Sequence, residues 1–220
     1  MKALIFTCSY NRPHMLRQCM LNAKNQSYDS YVHTVNIVSD GGEDQNFLPL
    51  YNDLLDDKLI VNKGNNNFIH FNNMIAIKSI PNYEDYDVFI KMDDDDVYKK
   101  DYVKNIVELF QANPDVDIVS TRIKHQLNGN LMLTNENGYD NLGGNPNSST
   151  YHMPMTFAFN KKAFDCIANT PPNEVNWNDD LMWRYKWEDA GLKHMAVDNR
   201  EQIIWHIHGK NISTSSFLRQ

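Results

Sequence analysis

Cysteine is scarce in this chain of 220 residues, and long apolar runs are missing altogether. Its three cysteines, Cys8, Cys19 and Cys166, have neither metal-type spacing nor an even-numbered framework, so reduced thiols are the simplest reading. No apolar stretch approaches the roughly 20 residues of a membrane-spanning helix. Lys2 to Thr7 is too short for the apolar core of a secretory signal, so a cytoplasmic protein is expected, with a peripheral membrane site left open. Positive charge is in deficit. Lys and Arg number 21 against 28 Asp and Glu, and the net charge of -7 argues against a broad nucleic-acid-binding surface. Glycine is absent where a phosphate loop needs it: Cys8-Ser9-Tyr10-Asn11 follows the first apolar run without one, which ranks a nucleotidyltransferase low.

What is present describes a globular α/β chain. Ala3 to Phe6, Val32 to Val38, Leu59 to Val61, Val88 to Met92 and Val116 to Ser120 read as strands. Helical spacing falls between them at His14 to Asn25 (with Pro13 at the first helical position), Phe47 to Leu55, Phe68 to Ile80 and Lys100 to Ala112. Strands alternating with helices predict a mainly parallel, Rossmann-like sheet flanked by helices. From about Arg122 the alternation falters. Asn128 to Thr150 reads as a hairpin plus loop, followed by a strand within Tyr151 to Phe159 and helices at Lys161 to Ile167 and Asp179 to Ala190. Late strands fall at Ala196-Val197 and at Ile203 to Ile207. One domain over 1–220 is expected, with a nucleotide-type first half at 1–120 and an irregular second half at 121–220.

The strand Val88 to Met92 runs directly into Asp93-Asp94-Asp95-Asp96. Four adjacent anions destabilise a fold unless solvent or a cation compensates. In an extended segment Asp93 and Asp95 point one way and Asp94 and Asp96 the other, and oxygens at i and i+2 suit a hard divalent ion. A solvated acidic turn is the plainer alternative; the carboxyl end of a parallel strand, where open α/β sheets bind ligands, favours the ion. Two further loops converge on that edge. Tyr10 offers an aromatic face and a hydroxyl, Arg12 a fork for phosphate, and Asp40 an acceptor for a base N–H.

The ordered segments Phe6-Thr7-Cys8-Ser9-Tyr10-Asn11-Arg12-Pro13, Ile37-Val38-Ser39-Asp40-Gly41-Gly42-Glu43-Asp44 and Lys91-Met92-Asp93-Asp94-Asp95-Asp96-Val97-Tyr98 resemble the family 2 glycosyltransferases. The resemblance implies a GT-A fold and a nucleotide-sugar donor, a UDP-sugar as first choice. The implied donor site is Thr7, Tyr10, Asn11, Arg12, Asp40, Lys91, Asp93 and Asp94, with Thr7, Tyr10 and Asp40 lining the base and ribose pocket. Asp95, aided by Asp93, is the implied ligand of Mn²⁺ or Mg²⁺ in an Asp-x-Asp element. Two departures stand out: Phe71-Asn72-Asn73 replaces the family's Ala-Arg-Asn, and Ser39 replaces the first of two acids at the end of the second strand.

In the second half, Trp177-Asn178-Asp179-Asp180-Leu181-Met182-Trp183-Arg184 resembles the family's acidic segment at a helix start. Either Asp179 or Asp180 is the implied catalytic base; a helix cap is the other role open to one of them. His206 and His208, at i and i+2, are expected to add a metal ligand between them. Trp177 is expected at the acceptor, while Trp183 and Trp187, four apart on a helix, are expected in the core. The function expected is transfer of a hexose to an acceptor hydroxyl with inversion. The acceptor is left open among glycan, lipid-linked sugar, protein and modified base. The alternative is a non-catalytic sugar-nucleotide or glycan-binding module on the same fold.

Overall fold

The computed structural model describes residues 1–10, 12–38, 51–64, 69–121, 124–127, 130–132, 156–174, 179–197 and 203–207. Strand β1 (Ala3–Tyr10) is the hub, paired in parallel with β2 (Tyr31–Val38) on one side and β4 (Val88–Lys91) on the other. Beyond β2 lies β3 (Leu59–Gly64), also parallel. Beyond β4 come β9 (Ala158–Asn160), β6 (Ile118–Thr121) and β10 (His194–Val197), with β9 antiparallel to both of its neighbours. The result is the expected mainly parallel sheet, seven strands wide.

Ala3 to Phe6 of β1 and Val88 to Ile90 of β4 are apolar on both faces because both faces are covered. Ala3 and Ile5 pack on one side with Cys19 and Ala23 of α1 (Pro13–Lys24) and with Val103, Ile106 and Phe110 of α3 (Tyr102–Ala112). Leu4 and Phe6 pack on the other, against α2 (Ile69–Lys78), α4 (Lys161–Ala168) and α5 (Asp179–Asp189), through Met74, Ile77, Phe164, Ile167 and Trp183. Helix α1 starts at Pro13, whose missing N–H costs nothing at a first turn, and buries Leu16, Cys19, Met20 and Ala23 at the spacing of one helical face. Trp183 and Trp187 are buried in the core, as their spacing predicts. No helix among the described residues is long and apolar enough to cross a membrane.

A second, four-stranded sheet holds β5 (Val97–Tyr98), β11 (Ile203–Ile207), β7 (Lys124–Leu127) and β8 (Asn130–Met132), in that order. Strands β7 and β8 pair antiparallel, with β7 ahead of the Asn128 to Thr150 segment in which a hairpin was expected; residues 133–150 of that expectation lie outside the described residues. Two local expectations change. Strand β1 continues past Phe6 to Tyr10, because Thr7, Cys8 and Ser9 stay in register with β2 despite their polarity. Residues 51–54, expected to end a helix from Phe47, form turns instead, with the Tyr51 hydroxyl bonded to the Pro13 carbonyl at 3.3 Å. Residues 47–50 of that expectation lie outside the described residues.

Candidate active site

Strands β1 to β4 are mutually parallel, so their carboxyl ends share one edge, and the acid run leaves β4 there. The register sets Phe6 opposite Lys91, and the Met92 N–H donates to the Phe6 carbonyl at 3.1 Å. Residues Thr7 to Tyr10 therefore run on alongside the acids. The run is not extended. It turns, with the Asp96 N–H reaching back to the Asp93 carbonyl at 3.4 Å. Alternation survives in burial only: Asp94 and Asp96 are 1% and 2% exposed, while Asp93 and Asp95 are half-buried. The turn overrides the expected split of faces, since Asp93, Asp95 and Asp96 can each present a carboxylate oxygen within 4.8 Å of the other two. Asp96 thus joins the pair expected from the sequence.

Asp94 has a different role. Ser9 donates to it at 2.5 Å and the Arg12 guanidinium lies 2.7 Å away. A second Arg12 nitrogen bonds Asp95. The fork expected to meet phosphate is therefore turned onto two carboxylates, because a carboxylate buried as deeply as Asp94 needs a counter-ion. Burial pushes the Asp94 carboxyl up, and Arg12 pulls it back. For Arg12, burial works to lower the pKa, and Asp94, Asp95 and Asp93 outweigh it. Lys91, itself buried, sits 3.1 Å from Asp93. The Asp93 N–H donates to the Tyr98 hydroxyl at 2.7 Å, which fixes the start of the turn from beneath.

Thr7, expected to line the base and ribose pocket, is enclosed. Its side chain is 1% exposed and its hydroxyl bonds His33 Nε2 at 2.9 Å on the α1 face of the sheet. Ser9, two residues on and on the same face, is the hydroxyl that reaches the acid turn. Tyr10 ends β1 with 41% of its surface exposed. Asn11, Asp40, Trp177 and His208 lie outside the described residues, as do the side chains of Asp179, Asp180 and His206.

Backbone placement is nonetheless informative for three of these. Asp179 and Asp180 open α5. Strand β9 is antiparallel to β4, so α4, which follows it, starts at the opposite edge; Trp187, late in α5, bonds Ala163 there, at 2.9 Å. The start of α5 accordingly lies toward the acid edge. Strand β11 pairs antiparallel with β5, Ile203 opposite Tyr98 and Ile204 opposite Val97, so His206 and Asp95 each lie two residues beyond the last pair.

Sequence reasoning missed Ser9, Asp96 and Tyr98. Ser9 carried a signal, its two-residue offset from Thr7 along a strand; the other two depend on a turn and on a distant strand pairing. The chemistry of the acid turn fits a hard cation. An octahedral Mg²⁺ with oxygens at about 2.1 Å places adjacent ligands about 3 Å apart, and Asp93, Asp95 and Asp96 already bring three carboxylate oxygens within 4.8 Å of one another.

No curated protein sequence matches the chain. Among solved structures, TarS 1-349 of S. aureus superposes with a TM-score of 0.65 at 16% identity, over 94% of this chain and 60% of that one. The same fragment in complex with UDP gives 0.67 at 15% identity, covering 94% and 61%. Its complex with UDP-GlcNAc also gives 0.67 at 15%, covering 98% and 61%. The chain thus spans about 60% of the length of these structures. The likeness is one of fold, and it agrees with the GT-A architecture expected from the sequence. The sequence profile of Glycosyl transferase family 2 matches residues 4–170, from β1 through α4, and the chain belongs to that family.

Proposed function

We propose that this chain is a divalent-cation-dependent glycosyltransferase that moves a hexose from a UDP-sugar to an acceptor hydroxyl with inversion. The observation that carries the reading is the acid turn at the carboxyl end of β4, where Asp93, Asp95 and Asp96 converge beside the end of β1. Those three residues would hold Mn²⁺ or Mg²⁺. When bound, the cation supplies positive charge to the diphosphate leaving group. UDP is the first nucleotide to test because two of the similar TarS structures are complexes, one with UDP and one with UDP-GlcNAc.

The chain's own residues divide the remaining work. Tyr10, exposed at the edge, stacks on the base. Arg12 holds Asp94 and Asp95 in place and would be the group offered to donor phosphate once a cation takes up Asp95 charge. Asp179 or Asp180, at the start of α5, takes the acceptor's proton as its oxygen attacks the anomeric carbon and the bond from that carbon to the diphosphate oxygen breaks. His206, on β11, is a candidate fourth ligand, and Trp177 a candidate acceptor contact.

The test is thermal stability against UDP, GDP, CDP and ADP and their sugars, each with Mn²⁺ and with chelator. A ligand at 100 times its Kd adds about 2.7 kcal/mol of stability. A shift with one nucleotide that needs Mn²⁺ and vanishes in Asp95→Ala supports the reading. No shift with any nucleotide overturns it.

A further inference from the structure

We propose that His70 is a positioning residue: through a hydrogen bond to Trp183 it fixes the first turns of α5, and with them Asp179 and Asp180, against α2 at the acid edge of the sheet. The inference rests on the reading of Asp179 or Asp180 as the base.

Helix α5 is held by two indoles one turn apart. Trp187 donates to the Ala163 backbone carbonyl near the start of α4, on the side away from the acid edge. Trp183 donates instead to a side chain, His70 Nδ1, at 2.9 Å. His70 is the second residue of α2, which follows β3 and so begins at the acid edge. Trp183 lies four residues into α5, about 6 Å along the axis from Asp179. One bond therefore joins the amino ends of two helices at the edge where the chemistry is placed.

Both partners are enclosed: Trp183 is 0% and His70 1% exposed. An indole N–H can only donate, so no water replaces a lost acceptor there without opening the core. For Nδ1 to accept, the ring proton must sit on Nε2 and the imidazole must be neutral. Burial favours that form, with Lys78 and Lys186 adding to it, and lowers the His70 pKa to about 4. The rings also meet edge to face, 6.1 Å between centroids at 74°, so the contact fixes direction as well as distance. Misplacing a catalytic group by about 1 Å can cost on the order of a hundredfold in rate. That is why the bond bears on catalysis and not only on packing.

The experiment compares His70→Phe, His70→Asn, Trp183→Phe, Trp187→Phe and the double variant His70→Phe/Trp183→Phe. Asparagine is chosen because its Oδ1 stands where Nδ1 stood. With UDP-GlcNAc and Mn²⁺, His70→Phe is expected to lower the turnover for UDP release by about tenfold or more, with UDP affinity within about twofold. His70→Asn restores turnover, the double variant is no worse than either single one, and Trp187→Phe lowers the melting temperature while keeping turnover. Amide exchange over residues 183–186, the first amides of α5 with carbonyl partners inside the helix, should quicken in His70→Phe and return to normal in His70→Asn. Wild-type turnover in His70→Phe, or unchanged exchange over 183–186, overturns the inference. Equal impairment of His70→Asn and His70→Phe overturns it as well. Wild-type turnover in both Asp179→Asn and Asp180→Asn instead overturns the base reading, and absence of UDP release by the wild type counts against the UDP-sugar reading; in either case the exchange result still decides whether His70 fixes α5.

Discussion

Helices α1 and α5 both bring their amino ends to the acid edge, and they are held there by opposite means. At α1 the grip is polar. Arg12 clamps Asp94 and Asp95 at its start, and Gln26 just past its end bonds the Lys99 carbonyl and the Val103 N–H, both at 2.9 Å. At α5 the grip is aromatic: Trp183 and Trp187 pack among Phe6, Phe157 and Phe159, with two indole hydrogen bonds as the directional contacts. A charged grip can be exchanged for a ligand's charge, which would suit the proposed donor side. An aromatic grip holds one geometry whatever the ionic conditions, which would suit the proposed aiming of a base.

The comparison breaks first at Asp95. Asp95→Ala should lower transfer on the order of a thousandfold while the melting temperature stays within a few degrees, since Arg12 keeps Asp94; UDP release and a thermal melt read the two. Full transfer by that variant would remove the donor side of the argument. Trp183→Ala should cost about 3–5 kcal/mol in urea unfolding, as for other buried aromatic truncations. A loss below about 1 kcal/mol would mean that the aromatic grip is not what holds α5. Arg12→Ala strands a buried carboxylate but opens a partly exposed site to water, so about 2 kcal/mol is expected from the same measurement.

The pH response separates the two sides further. Burial lowers His33 to about 3, and burial with Lys78 and Lys186 lowers His70 to about 4, against an unfolded value of 6.5. Between pH 6.5 and 4 the unfolded chain binds protons that the native state refuses, so stability present at neutral pH is lost as pH falls through that window. The melting temperature should drop accordingly, and less steeply in His70→Asn, which carries one such group fewer. The smallest effect belongs to the surface: Lys161→Ala removes the exposed pair with Asp165 and should change stability by less than about 0.5 kcal/mol.

Much of the architecture was legible because it follows from local periodicity. The stripe Leu16, Cys19, Met20, Ala23 announces α1, and the unbroken run Val88 to Lys91 announces a strand covered on both faces. Pairings between distant segments carry no such local mark. The antiparallel insertion of β9 between β4 and β6, and the union of β5 with β11, were therefore invisible. The site divides in the same way. The acids could be placed by their position after a strand, and Tyr10 by its nearness to the end of one. The turn that gathers Asp96, the ion pairs that occupy Arg12 and the burial of Thr7 beside His33 arise from tertiary contacts.

Strand β4 belongs to the large sheet and β5 to the small one, and only Met92 to Asp96 lie between them. The carboxylates are thus the joint of a caliper whose two jaws are sheets. Sliding one jaw by an ångström must be absorbed within those five residues, whose first N–H is bonded to β1 and whose next is bonded to Tyr98. The spacing of the acids is accordingly a gauge of how the two sheets are seated against each other.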